Sequence, residues 1–133
     1  MTALLGHAQI DINKAEDSGV TQLYIASRSG HTNIVTALLG HAQIDINKAG
    51  NCAETPLWIA SAKGNADVVT ALLGHAHIDI HNPDHRGETP LHVASQRGKT
   101  DIVTSLLGLP QIDINNADDR GQTPLFVASS KGH

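Results

Sequence analysis

The chain has 133 residues and a net charge of −4 with acids and bases interspersed, which suits one domain and argues against a nucleic-acid binder. Hydrophobic residues make up 40%, no apolar run approaches the ~18 residues of a membrane span, and Met1-Thr2-Ala3-Leu4-Leu5-Gly6 lacks the features of a signal peptide. The lone Cys52 excludes an intrachain disulfide framework and a cysteine-based zinc site, and three aromatics (Tyr24, Trp58, Phe126) are few for one compact core.

In chain order, the same elements return four times. Leu-Leu-Gly begins at Leu4, Leu38, Leu72 and Leu106. Asp-Ile begins at Asp11, Asp45, Asp79 and Asp113. A threonine opens a shared block at Thr21, Thr55, Thr89 and Thr123, and every interval is 34 residues. Periods of this size mark stacked solenoid repeats, whose units bury their apolar faces on their neighbours. The spacing divides the chain into a truncated unit at residues 1–10, complete units at 11–44, 45–78 and 79–112, and a second truncated unit at 113–133. All belong to one stacked domain. The phase also reads as a piece of a longer array.

Within residues 45–78, Asp45-Ile46-Asn47 is extended and Lys48 to Ala53 is turn-like. Thr55 suits an N-cap and Pro56 the first helical position. A short helix is expected to run to Gly64, which suits a left-handed C-cap. In a second helix, Val68, Val69, Leu72 and Leu73 form an apolar stripe at four-residue spacing. Each unit is therefore a turn plus two antiparallel helices, and the chain is all-α.

The block Thr89-Pro90-Leu91-His92-Val93-Ala94, followed by Gly98, Ile102-Val103 and Leu106-Leu107, resembles the ankyrin repeat in a 34-residue variant. The resemblance spans essentially the whole chain, with three full repeats between two half repeats. It implies a solenoid of helix-turn-helix units joined by short extended turns. Four positions depart from the pattern: Gln22 replaces proline, Ala53 the turn glycine, Gly50 an acidic residue, and His81 the asparagine of Asn13, Asn47 and Asn115.

Candidate chemistry is weak. Ser27, Ser61, Ser95 and Ser129 repeat without a paired base, and equivalent groups in stacked repeats form rows rather than converging on one reacting atom. Gly98-Lys99-Thr100 ends like a phosphate loop, but Val93 stands where that loop needs its first glycine. His75, His77, His81 and His85, with Asp79 and Asp84, are the densest metal-ligand group, yet alternate side chains of an extended segment point apart. No catalysis, no cofactor and no metal site are expected. The resemblance makes His92 structural, bonded to the threonine of its own block. Tyr24, Trp58 and Phe126 share its repeat position and are expected to form one packing row, with a ligand-contact stripe as the alternative. Cys52 reads as an exposed turn residue.

Positions that differ from copy to copy mark the expected binding surface. In the turns they are Asp17, Ser18 and Val20; Asn51, Cys52 and Glu54; His85, Arg86 and Glu88; and Asp119, Arg120 and Gln122. Late in the first helices they are Arg28, Lys63, Gln96 and Arg97. The resemblance implies that turn tips and first helices line a concave groove for another protein, in an intracellular, cytoplasmic or nuclear setting. It also makes Asn13, Asn47 and Asn115 candidates for asparaginyl hydroxylation. The rival readings are a structural spacer or self-associating segment and a regulatory module of a larger enzyme. The half repeats suggest weak head-to-tail self-association, in which Leu125, Val127 and Ala128 of one copy cover Leu4 and Leu5 of another.

Overall fold

The computed structural model describes residues 12–15, 20–50, 52–130 and 132. The half repeat expected at 1–10, with Leu4 and Leu5, lies outside them, as do Asp17, Ser18 and Asn51.

Seven helices and no strands occur among the described residues. They are α1 (Gln22–Ser29), α2 (Thr32–Leu39), α3 (Pro56–Lys63), α4 (Ala66–Leu73), α5 (Pro90–Gln96), α6 (Thr100–Leu107) and α7 (Pro124–Ser130). The first helices α1, α3, α5 and α7 stack in succession. The second helices α2, α4 and α6 stack behind them, each packed on the first helix of its own repeat.

The repeated residue types account for these boundaries. Thr21, Thr55 and Thr89 are extended N-caps whose side chains accept the backbone N–H three residues on, which satisfies one orphan donor of the first turn. Pro56 and Pro90 occupy the start of their helices, where a missing N–H costs nothing. Gly30 and Gly64 end α1 and α3 in the left-handed conformation at φ 74° and 76°. The chain then reverses within two residues into the second helix.

One continuous core runs along the stack between the two helix layers. It includes Leu23, Leu57 and Leu91 of the first helices, Leu38, Leu72 and Leu106 of the second, and Ile12, Ile46 and Ile80 of the Asp-Ile segments. Each repeat contributes the same residues, so the core grows in length but not in width, and large rings are not needed to fill it. A second, smaller cluster lies on the other side of the first helices. Tyr24, Trp58, Ile59, Ala62 and Val93 form it, with Val20 packed against it.

Candidate concave surface

Short hairpins precede the first helices and are closed by backbone bonds. Gly50, Asp84 and Asp118 N–H donate to the carbonyls of Glu54, Glu88 and Gln122 at 3.0, 2.9 and 2.9 Å. Successive tips are also tied together, His85 N–H to Cys52 O at 3.0 Å and Asp119 N–H to Arg86 O at 2.9 Å. In two hairpins an aspartate braces the turn from within. Asp84 Oδ1 accepts from Arg86 and Glu88 N–H, and Asp118 Oδ1 from Arg120 and Gln122 N–H. The hairpin at 50–54 has Gly50 at that place, and Ala53 takes φ 60° where Gly87 and Gly121 take 76° and 74°.

The row expected at the fourth position of the threonine block is a set of forward hooks. Tyr24 Oη donates to Glu54 Oε1 at 2.8 Å. Trp58 Nε1–H donates to Glu88 O at 3.1 Å, and His92 Nε2 lies 2.8 Å from Gln122 O. A carbonyl can only accept, so Nε2 carries the His92 proton. The bare Nδ1 then accepts from Thr89 N–H at 3.1 Å and takes the Thr89 hydroxyl at 2.8 Å. Each hook spans 30 residues into the following repeat. Tyr24, Trp58 and His92 are buried, whereas Phe126 is 54% exposed. Burial, and then the hydrogen bond and charge of Glu54, raise the Tyr24 phenol above the ordinary tyrosine range.

A second set of clamps lies on the opposite edge. Asn13 Nδ2 donates to Gln43 O at 2.9 Å while its Oδ1 accepts from Asp45 N–H at 2.7 Å. Asn47 does the same to His77 O and Asp79 N–H at 2.8 and 2.9 Å. His81 keeps one limb only, its Nε2 accepting from Asp113 N–H at 2.9 Å. The departure at His81 therefore preserves half of the clamp. Of the three hydroxylation candidates, Asn13 and Asn47 are held in these clamps and Asn115 is exposed. Asn65, at the start of α4, reaches back instead, donating to Ser27 O and Arg28 O at 2.8 and 3.1 Å.

The structure sorts the expected groove residues. Arg28, Cys52, Lys63, His85, Arg86, Arg97, Asp119 and Arg120 are exposed. Val20, Glu54, Gln96 and Gln122 are half-buried. Glu88 departs from the expectation of an exposed turn tip. It is 8% exposed, because its carbonyl is shared by Trp58 Nε1–H and Asp84 N–H and its N–H points to Asp84 Oδ1. Two adjoining depressions lie along the hairpins and first helices in the C-terminal half of the stack. One, about 320 Å³, is lined by Trp58, Arg86, Glu88, Val93, Gln96 and Arg97. The other, about 250 Å³, continues over Asp119, Arg120, Gln122 and Val127. Sequence reasoning had weighed Trp58 as part of a ligand-contact stripe but had not placed the side chains of Val93 and Val127 along these depressions. Their position on the first helices relative to Gln96 was the available signal.

The histidine group does not converge. His75 Nδ1 accepts from His77 N–H, and the two rings are tilted with centroids 5.7 Å apart. His81 is turned to Asp113 and His85 to Cys52 O. Ser27 and Ser61 are fully buried, and neither hydroxyl has a hydrogen-bond partner among the described residues. No described helix is long and apolar enough to cross a membrane.

No curated protein matches the chain. The family model for ankyrin repeats (three copies) matches residues 1–84 and 57–133. Ankyrin repeats are generally non-enzymatic protein–protein interaction modules, and with the hooked hairpins and paired helices described above, this chain belongs to the ankyrin-repeat family.

Proposed function

We propose that the protein binds another protein, without catalysis, through the concave groove between its hairpin tips and first helices. The observation that carries this reading is the pair of adjoining depressions along the hairpin tips and first helices. Trp58, Ile59 and Val93 form a buried cluster that supports them, and residues that vary between repeats stand around their rim. A preformed depression with a variable polar rim suits contact with a partner. Arg28, Cys52, Lys63, His85, Arg86, Gln96, Arg97, Asp119, Arg120 and Gln122 are its contact candidates, with Val20, Glu54 and Glu88 set deeper. An intracellular setting accords with the lone cysteine. Gln96→Trp should fill the groove, and Thr70→Trp on the exposed back of α4 serves as control. Quantitative affinity purification should lose its specific partners with the first variant and keep them with the second. Equal recovery with both variants would remove the groove from the reading.

A second reading, head-to-tail self-association, is favoured by one end of the stack. Leu125, Phe126 and Ile114 are 75%, 54% and 54% exposed, whereas Leu91 and Ile80 at the equivalent places of Leu125 and Ile114 are 3% exposed. Residues 2–15 repeat residues 36–49 letter for letter, so a second copy carries a segment of the type that packs inside the stack. The contact is heterologous and open, giving chains of molecules rather than closed dimers. Sedimentation velocity across a concentration series should show growing species that Leu125→Glu with Phe126→Glu abolishes. A single monomeric species throughout would exclude it.

A further inference from the structure

The hook row and the row that receives it do not match up completely within one chain. The hooks stand at Tyr24, Trp58, His92 and Phe126, and the receiving residues at Val20, Glu54, Glu88 and Gln122, each row at 34-residue intervals. Tyr24 closes on Glu54, Trp58 on Glu88 and His92 on Gln122. Phe126 and Val20 are left over, at opposite ends of the described stack. The Phe126 ring is 54% exposed and carries no polar hydrogen, so it cannot close on a carbonyl or a carboxylate. Val20 is half-buried and is the one receiving residue with an apolar side chain. It packs against the cluster that contains Tyr24 and Trp58. Each internal junction thus joins a hydrogen-bonding hook to a polar receiving residue, and the unmatched pair is apolar on both sides.

The clamp row ends in the same way. Asn47 reaches residues 30 and 32 positions further on, and for Asn115, which is exposed, those positions fall beyond residue 133. Leu125 and Ile114 are exposed beside it where Leu91 and Ile80 are buried. Inside the stack, part of the covering layer is residues 36–49, with Leu38 and Ile46 buried. Residues 2–15 have the same sequence, so a second copy brings the matching layer together with Val20.

We infer that a second copy of this chain docks on the open end in the register of the repeats, its Val20 seated against Phe126 of the first copy. This rests on the self-association reading above and deepens it, because it names the contact that sets the register. The contact is heterologous. A two-fold contact between two open ends would set Phe126 against Phe126 and leave Val20 unused.

Sedimentation velocity of the full chain and its variants tests the contact. Val20→Glu should weaken association about tenfold or more, because the ring would then cover an unpaired carboxylate. Adding Phe126→Tyr to the same chain should restore association, since it rebuilds across the junction the phenol–carboxylate bond that Tyr24 and Glu54 make at 2.8 Å. Val20→Glu and the Leu125→Glu, Phe126→Glu variant should each be monomeric alone. Mixed in equal amounts they should form a one-to-one pair, because each keeps one intact end, and pairing also shows that both are folded. Association of Val20→Glu at the wild-type level would overturn the Phe126–Val20 contact and leave self-association standing. A loss that neither the tyrosine nor the mixture repairs would overturn the contact as well. Closed dimers of Val20→Glu alone, or a wild type that stays monomeric at every concentration, would overturn both.

Discussion

Single side chains decide how firmly one repeat holds the next, and His81 is the clearest case. Asn13 and Asn47 grip the following repeat with both ends of a carboxamide, whereas the imidazole of His81 supplies only an acceptor. His81→Asn should restore the donor limb, toward the carbonyl at position 111, and stabilise the protein by about 0.5–1.5 kcal/mol. A urea midpoint that does not rise would show that the second limb contributes nothing there. Tyr24 makes a different prediction. It is the sole tyrosine, and its phenol is raised by burial first and by Glu54 second. A raised folded value means that Tyr24 contributes stability fully below the unfolded tyrosine value of about 10, and that this contribution is lost as pH climbs through the higher folded value. Ultraviolet titration should therefore show phenolate appearing above the free-tyrosine midpoint. Tyr24→Phe should flatten the alkaline decline in stability, and an ordinary midpoint would contradict the burial.

At the scale of elements, the hairpin at 50–54 is the weakest of the three described. Its neighbours have an aspartate accepting two N–H groups and a glycine at the positive-φ corner; it has Gly50 and a strained Ala53. Gly50→Asp should add two turn bonds and stiffen the unfolded chain, a gain of about 1–2 kcal/mol measured by thermal unfolding. No gain would mean that the neighbouring aspartates are spectators. The helices themselves were legible in the sequence, since threonine caps, proline starts and glycine stops are local signals that recur at a fixed interval. So was the departure at Ala53. The burial of Glu88 was not legible, because it depends on an indole thirty residues earlier reaching its carbonyl. The exposed tip read from a polar residue type is reversed by a tertiary hydrogen bond. The shared position of Tyr24, Trp58 and His92 revealed a row, but nothing local told that the row points forward.

For the whole molecule, stability is a chain of neighbour terms. Leu72 is fully buried between repeats and Leu125 is 75% exposed at one end of the stack. Leu72→Ala should cost about 2–5 kcal/mol as a core cavity, and Leu125→Ala at most about 0.5 kcal/mol as a surface change. Equal shifts in a denaturant series would be incompatible with a stack whose described end is open.

Most of the forward hooks close on main-chain atoms: the carbonyls of Gln43, His77, Glu88 and Gln122, and the N–H groups of Asp45, Asp79 and Asp113. A joint of that kind is blind to the identity of the residue it holds. The receiving positions are therefore at liberty to mutate, and several of them, Glu88 and Gln122 among them, border the groove. Under the proposed function, recognition can drift while the scaffold stays coupled, and a repeat copied into the array would find its socket already made. Tyr24 is the exception, because its hook closes on the carboxylate of Glu54. At that one junction a change of the receiving side chain is also a change of mechanical coupling.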